Sequence, residues 1–243
     1  MSKIAAFVYG LVAYALFLVA FLYAIGFVGN IIVPKSIDSG MSAPFGEALL
    51  VNIALLALFA IQHSVMARPG FKRWWTRIIP EPIERSTFVL LASLILLLLF
   101  WQWRPMTDVV WDVQNATGRF LLQALFWTGW IIVLVSTFMI GHFDLFGLRQ
   151  VYFHFRRKAY PPPRFVMPGL YLYIRHPIML GFVVAFWSAP TMTIGHLLFA
   201  VVTTVYILIA VKFEERDLVG LFGESYEAYR QRVSMLIPLP KKK

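Results

Sequence analysis

The chain has 243 residues, of which 60% are apolar and only 14% are charged. Soluble globular domains contain about a quarter charged residues, so this composition excludes that class and predicts a polytopic membrane protein. The absence of cysteine excludes disulfides, thiolate metal sites and a cysteine nucleophile. The net charge of +10 would suit nucleic-acid binding, unless its distribution along the chain has another explanation.

Long uncharged runs predict the membrane-spanning helices, because about 20 apolar residues suffice to cross a bilayer core. In chain order these runs are Ile4 to Val33, Ala48 to Ala67, Ser86 to Trp103, Phe120 to Phe143 and Pro177 to Val211. The last run has 35 residues. As one straight helix it would be about 52 Å long, against a bilayer core of about 30 Å. Since Pro190 and Gly195 lie near its middle, we predict a helical hairpin with arms barely long enough to cross.

Basic residues are concentrated in alternate segments of the chain. Nineteen of the 22 Lys and Arg residues are Lys3 or lie in residues 68–85, in residues 149–175 or from Lys212 onward. By the positive-inside rule, these segments and both termini face the cytoplasm. Attraction to anionic lipid then accounts for the positive charge, and nucleic-acid binding is not needed to explain it.

The segment from Phe165 to Gly181 joins the second basic loop to the last apolar run, and Arg175-His176-Pro177 lies at its centre. Proline suits the first turn of a helix, where its missing N–H costs nothing, so a helix start is predicted at Pro177. A helix N-terminus favours anions. An interfacial arginine beside a plain helix start is an equally compatible interpretation.

Several short motifs in the C-terminal part of the chain resemble those of a known superfamily. In chain order they are Gly169-x-Tyr171, Arg175-His176-Pro177, Gly181, Glu214-Glu215 and Phe222-Gly223-x-x-Tyr226-x-x-Tyr229. This set resembles the isoprenylcysteine carboxyl methyltransferase superfamily of integral-membrane enzymes, which use S-adenosylmethionine. Within that superfamily the whole chain, and especially Gly141 to Gln150, resembles the bacterial methanethiol S-methyltransferases.

The resemblance implies a pocket for S-adenosyl-L-methionine. The residues implied to line it are Gln150, Pro168, Gly169, Leu170, Tyr171, Arg175, His176, Pro177, Leu180, Glu214 and Glu215. Arg175 and the helix start at Pro177 would bind the cofactor's carboxylate. Glu214 or Glu215 would accept hydrogen bonds from its ribose hydroxyls or amino group.

Two parts of this interpretation have simpler alternatives. Glu214 and Glu215 can form an interfacial pair neutralised by Lys212 and Arg216. The resemblance also implies that the C-terminal helix folds over the cofactor as a lid, and a plain amphipathic core stripe is compatible with the same aromatic residues, Phe222, Tyr226 and Tyr229.

His142 and Asp144 close the fourth apolar run. Methyl transfer to sulfur needs a thiolate, and a free thiol is mostly protonated at neutral pH, so a nearby base favours the reaction. Residues two apart do not share a face of a regular helix, but a helix end between them, which Gly141 and Gly147 allow, lets the pair converge. An equally compatible interpretation is that Asp144 pairs with Arg149 and His142 is an interfacial spectator. The resemblance favours the first, so we predict that His142 and Asp144 are catalytic.

We thus expect an all-α integral membrane protein with about five transmembrane segments and a cytoplasmic C-terminal helix. One domain over residues 1–243 would comprise a membrane scaffold, 1–140, and a cofactor-binding and catalytic part, 141–243.

The resemblance implies methylation of methanethiol to dimethyl sulfide at a cytoplasm-facing site of the bacterial inner membrane, with a small thiol and membrane lipid as partners. Alternatives are methylation of a prenyl-cysteine carboxylate or a phospholipid amine, and a non-catalytic denitrification-associated membrane protein. The five histidines show no paired ligand spacing, so no metal is expected.

Overall fold

The computed structural model describes residues 1–162 and 164–238, so the lysines at 241–243 lie outside it. The helices are α1 Lys3–Gly29, α2 Phe45–Ala67, α3 Pro69–Trp75, α4 Glu84–Gln102, α5 Ala116–Met139, α6 His142–Leu145, α7 Leu148–Phe155, α8 Pro177–Trp187, α9 Ile194–Phe222 and α10 Glu224–Arg232. Strands β1 Val109–Asp112 and β2 Thr191–Thr193 pair with each other. Turns of 3₁₀ helix cover Glu81–Ile83 and Gly169–Leu172.

In the described part of the chain, five helices are long and apolar enough to cross a membrane: α1, α2, α4 with the turn before it, α5 and α9. Their outer faces carry exposed apolar side chains, for example Leu22, Leu50 and Phe120, which are 64%, 71% and 68% exposed. Such a surface is unfavourable in water and suited to lipid. The predicted all-α integral membrane architecture is therefore confirmed.

The described residues divide into two compact units. The first contains residues 1–108, 142–162 and 193–196, and thus α1 to α4, α6 and α7. The second contains residues 109–141, 164–192 and 197–238, and thus α5, α8, most of α9 and α10. This division does not follow the boundary at residue 140, and the division into scaffold and catalytic part stays a prediction.

In the first unit, α1 packs against α4 and α7. A Cβ built on Gly10 would lie 2.5 Å from a methyl group of Val151, so α7 approaches α1 where the chain has no side chain. Ala6, Ile83 and Val151 form a buried cluster beside this contact. The packing fixes α7, and with it the short helix α6 that precedes it.

In the second unit, α5 and α8 pack antiparallel at a pair of glycines. A Cβ on Gly181 would lie 2.6 Å from the carbonyl oxygen of Gly129, and neither position has room for a side chain. Gly129 precedes the end of α5 by ten residues, and Gly181 follows Pro177 by four. At about 1.5 Å per residue, α8 begins roughly 9 Å short of the C-terminal end of α5. The Arg-His-Pro motif lies at this recessed helix start.

The last apolar run forms the predicted hairpin, but its arms are unequal. Trp187 donates from Nε1 to Thr204 Oγ1 at 2.9 Å, so α9 folds back along α8. The 11 residues of α8 span only about 16 Å, so the prediction that each arm crosses the bilayer is wrong. α9 continues beyond the uncharged run, through Lys212 to Phe222, and α10 follows it from Glu224.

The loop before α5 holds the turn of this hairpin, which sequence analysis did not predict. Val113 donates its N–H to Pro190 O at 2.9 Å, and Trp111 Nε1 donates to Ala189 O at 3.1 Å. Both bonds lie in the second unit. They extend the β1–β2 pairing and fix where the uncharged run reverses.

Other helix boundaries also differ from the uncharged runs. α1 ends at Gly29 because Asn30 adopts a left-handed conformation, with φ 54°. α5 ends at Met139 rather than at Phe143, and Gly141 just beyond it has φ 99°. α7 extends helical structure to Phe155, within a segment predicted to be a loop.

Candidate functional site

Two of the C-terminal motifs meet in a buried ionic network within the second unit. Arg175 donates from Nε to Glu215 Oε1 at 2.6 Å, and His176 Nε2 lies 3.0 Å from the same oxygen. All three residues are less than one-tenth exposed. Charges buried to this degree require partners, so each residue of the network depends on the others.

The segment that follows α10 closes over this network. Arg175 donates through Nη1 to the carbonyl of Arg230 at 3.1 Å, and its backbone N–H donates to Ser234 O at 2.9 Å. The N–H of His176 donates to Met235 O at 3.1 Å. The C-terminal segment is therefore part of the wall of the site.

Glu214 and Arg230 are the more accessible charged groups beside the network. The Glu214 side chain is 46% exposed, and its Oε2 lies 3.7 Å from His176 Nδ1. The Arg230 side chain is 44% exposed, and its Nε lies 3.4 Å from Glu215 Oε2. Glu215 is thus neutralised by the Arg-His-Pro motif and α10, rather than by its basic neighbours on α9.

Aromatic side chains pack α10 against the loop that precedes the motif. The ring of Phe165 lies 5.4, 5.8 and 5.4 Å from the rings of Phe222, Tyr226 and Tyr229. The Tyr229 hydroxyl donates to Tyr171 O at 2.6 Å, and burial raises the pKa of Tyr229 to about 12, so it remains a donor at neutral pH. These contacts pack α10 against the loop, and its role as a lid over the cofactor stays a prediction.

The turn Gly169–Leu172 lies against the end of α5. Gly169 has φ 53°, and a Cβ there would lie 2.7 Å from Met139 Cε, so the conformation and the space both require glycine. The N–H of Leu170 donates to Met139 Sδ at 3.4 Å. This contact ties the predicted cofactor loop to a membrane-spanning helix.

The structure places most of the predicted cofactor residues in the second unit. Pro177 is the first residue of α8, as predicted, and Leu180 donates its N–H to His176 O at 3.1 Å. The residues gathered here are Pro168, Gly169, Leu170, Tyr171, Arg175, His176, Pro177, Leu180, Glu214 and Glu215. Their role in cofactor binding stays a prediction.

Surface depressions adjoin the ionic network in the same unit. One of about 430 Å³ is lined by Arg175, Glu227, Arg230 and Gln231. Another of about 270 Å³ is lined by Lys212, Glu215, Arg216, Val219 and Arg230. The larger falls within the range of about 300–1,000 Å³ for small-molecule sites. Arginines suit the carboxylate of S-adenosylmethionine, and glutamates suit its ammonium and ribose hydroxyls, so these residues fit that cofactor.

His142, in the first unit, begins α6 and is only 4% exposed. Its Nε2 lies 2.8 Å from the hydroxyl of Tyr14 on α1. The rings of Phe17 and Phe146 lie 6.4 and 4.8 Å from the imidazole. Burial lowers the pKa of His142, so the imidazole is neutral and able to take a proton at neutral pH.

Asp144 has partners of its own. Its Oδ2 accepts from Arg149 Nη1 at 2.6 Å, its Oδ1 accepts from the Tyr160 hydroxyl at 2.5 Å, and its carbonyl accepts from Gln150 Nε2 at 3.1 Å. Asp144 therefore pairs with Arg149, which is one part of the alternative interpretation. Gln150, predicted to bind the cofactor, belongs to this cluster of the first unit. The catalytic roles of His142 and Asp144 stay predictions.

Sequence analysis missed Tyr14 and Arg230. Tyr14 lies within an apolar spanning helix, where a hydroxyl needs a partner, and that requirement was the available signal. Arg230 is one charge among several on α10. No local pattern distinguishes it, and only the fold brings it to Glu215.

Comparison with known proteins places these sites in context. The chain is 60% identical over 240 residues to a methanethiol S-methyltransferase of Mycobacterium tuberculosis, covering 99% of this chain and 98% of that protein. It is 57% identical over 236 residues to methanethiol S-methyltransferase 1 of Bradyrhizobium diazoefficiens, covering 97% and 83%. It is 53% identical over 243 residues to a methanethiol S-methyltransferase of Crocosphaera subtropica, covering 100% and 95%. No family model and no solved structure matches the chain.

Proposed function

Because the chain belongs to the methanethiol S-methyltransferase family, we propose that it transfers a methyl group from S-adenosylmethionine to methanethiol and forms dimethyl sulfide. The observation that carries the proposal is the buried contact of Arg175 and His176 with Glu215. It joins two motifs of the methyltransferase superfamily that lie about 40 residues apart, beside a depression of suitable size and charge.

The chain's own residues divide the work of holding the cofactor. Glu214, with its exposed carboxylate, accepts hydrogen bonds from the ribose hydroxyls or the ammonium group. The N-terminus of α8 and the arginines that line the larger depression bind the carboxylate. Glu215 holds Arg175 and His176 in position. When bound, S-adenosylmethionine supplies a methyl group already activated by its sulfonium charge.

The acceptor end of the reaction needs a thiolate. His142 is neutral at neutral pH because burial lowers its pKa, and it takes the proton that the thiol loses. Asp144, held by Arg149 and Tyr160, contributes negative charge that favours the resulting imidazolium. Beyond deprotonation, alignment of the sulfur with the methyl group supplies most of the rate.

We place this reaction in the bacterial inner membrane, at a site that faces the cytoplasm. The support is the distribution of Lys and Arg, which the positive-inside rule assigns to the cytoplasmic side. A small apolar thiol reaches such a site either from the membrane or from the cytosol.

An acceptor panel tests the proposed function. Detergent-purified protein is incubated with S-adenosylmethionine and, separately, with methanethiol, a prenyl-cysteine and phosphatidylethanolamine, and the methylated products are measured. We expect dimethyl sulfide in the headspace and no turnover of the two larger acceptors. Folded protein that binds the cofactor and yields no dimethyl sulfide would contradict the proposal.

A further inference from the structure

The hydroxyl of Tyr14 lies beside the imidazole of His142, which the proposed reaction uses as its base. Tyr14 Oη lies 2.8 Å from His142 Nε2, and the two rings meet edge to face with centroids 5.7 Å apart. Tyr14 is partly exposed, whereas His142 is buried. The Tyr14 side chain is therefore the more exposed member of the pair.

The greater exposure of Tyr14 affects how a proton reaches His142. The lone pair of a neutral Nε2 that accepts the Tyr14 hydroxyl is already engaged, so a thiol cannot donate to it directly. The hydroxyl itself can accept one hydrogen bond while it donates another. A proton thus has a continuous route to Nε2 through Tyr14.

We propose that Tyr14 is a catalytic residue that relays the acceptor's proton to His142. The acceptor S–H donates to Tyr14 Oη while the Tyr14 proton passes to His142 Nε2. The inference rests on the proposed function, since it assumes that the chain methylates a thiol and that His142 is the base.

The relay step balances in atoms and electrons. The S–H bond breaks, its proton forms a new O–H bond on Tyr14, and the original phenolic proton forms an N–H bond on Nε2. The electron pair left on the acceptor sulfur forms the bond to the methyl group. The bond from that methyl to the donor sulfur breaks, and its electron pair stays on the donor. The same route in reverse then releases the proton from His142 to water.

The surroundings of Tyr14 and His142 suit proton transfer to His142 rather than to the carboxylate of Asp144. The rings of Phe17, Phe143 and Phe146 border the imidazole or Tyr14 and limit the access of water. Both carboxylate oxygens of Asp144 are engaged, by Arg149 and Tyr160.

Two other polar side chains on the surrounding helices have partners of their own. On α4, Arg85 donates to the Leu145 carbonyl at 2.7 Å. On α1, Tyr9 donates to Thr87 at 3.0 Å. Tyr14 is thus the hydroxyl of α1 that the fold brings to the imidazole.

The test removes one oxygen atom and varies the acidity of the acceptor. Tyr14→Phe is compared with wild type and with Tyr9→Phe, a matched control that deletes a tyrosine hydrogen bond from the same helix. Each is assayed with methanethiol and with trifluoroethanethiol, a small thiol that ionises far more readily. Cofactor affinity and the unfolding temperature are measured for every variant.

If Tyr14 relays the proton, the loss of rate in Tyr14→Phe should depend on the acidity of the acceptor thiol. For Tyr14→Phe, we expect kcat on methanethiol to fall at least about 10²-fold, the usual effect of losing a proton-transfer group. On trifluoroethanethiol the loss should nearly vanish, because that acceptor needs no help to ionise. Tyr9→Phe should keep the wild-type rate on both thiols. Tyr14→Phe/His142→Ala should be no slower than His142→Ala, because both residues serve one route.

Three results would overturn the relay. They are a wild-type rate in Tyr14→Phe, an equal loss of rate on both thiols, which marks a structural role, and a change confined to KM. Failure of the proposed function is distinguishable from these results, because wild-type protein would then form no dimethyl sulfide at all.

Discussion

Arg175 and Glu215 are 40 residues apart in the chain, and their side chains meet in a 2.6 Å bond between Nε and Oε1. The bond joins the start of α8 to the last turns of α9. Because Arg175 also binds the carbonyl of Arg230, the same side chain holds the C-terminal segment in place. This buried ion pair is therefore one of the contacts that hold the wall of the proposed cofactor site.

The adjacent glutamates should respond differently to substitution. Glu215→Ala leaves Arg175 buried without its carboxylate, which costs about 3–5 kcal/mol and lowers the unfolding temperature. Glu214→Ala, at a half-exposed side chain, should leave the unfolding temperature unchanged and weaken S-adenosylmethionine binding. Thermal unfolding and titration calorimetry check both. An unfolding temperature like that of wild type in Glu215→Ala, or unchanged cofactor affinity in Glu214→Ala, would show that these roles are misassigned.

The rate should depend on pH through His142. Burial lowers the pKa of His142 below its usual value of about 6.5, so the neutral base is fully present above that value and is lost as pH falls through the lowered pKa. In His142→Ala the fall in rate at low pH should disappear, and turnover at neutral pH should be about 10²–10⁴-fold lower than in wild type. The rate should recover in part at high pH, where hydroxide forms the thiolate.

A rate–pH profile beside a cofactor titration makes this measurement, and Asp144→Asn serves as a second variant with the same expected direction. Loss of cofactor affinity in both variants, with no recovery at high pH, would assign the pair to structure or cofactor binding instead.

An added methyl group at Gly181 should destabilise the packing of α5 against α8. Gly181→Ala forces a Cβ to within 2.6 Å of the Gly129 carbonyl oxygen, which separates α5 from α8 at a cost of about 1–3 kcal/mol. Gly220→Ala is the matched control, because among the described residues no atom outside the adjoining stretch of its own helix lies within 4 Å of an added Cβ. In thermal unfolding the control should be as stable as wild type or more stable, by up to about 1 kcal/mol. Equal stability of the two variants would contradict the close packing.

Membrane topology gives a further expectation. Reporter fusions at Lys243 should report the cytoplasm, and fusions near Pro190 should report the opposite side. Pro190 is tied to Val113 in the loop before α5, which carries few basic residues. A periplasmic signal from the Lys243 fusion would reverse the proposed orientation of the site.

Sequence analysis predicted those features that depend on local chemistry. Uncharged runs located the spanning helices, and a proline correctly predicted the start of α8 at Pro177. It placed the end of α5 too late, because an uncharged run continues past Gly141, whose left-handed conformation is not visible in composition. It also gave α8 enough length to cross the bilayer, because hydropathy does not show where a run reverses.

The partners within each site could not be predicted, since they depend on contacts between distant residues. Glu215 has three cationic or imidazole partners, of which Arg230 carried no signal in the sequence. The role of Asp144 beside His142 stays a prediction, and the bond of its carboxylate to Tyr160 could not be inferred from the sequence. The motifs singled out candidate residues, and the fold decides which of them are in contact.

A single-turnover reaction tests the central claim most directly. Purified protein is held in excess over S-adenosylmethionine that carries a deuterated methyl group, methanethiol is added, and the headspace is analysed by mass spectrometry. We predict dimethyl sulfide with one deuterated methyl group, formed in equal amount to the donor consumed. Consumption of the donor without labelled dimethyl sulfide, or no consumption by protein that binds the donor, would contradict the assignment of this chain as a thiol methyltransferase.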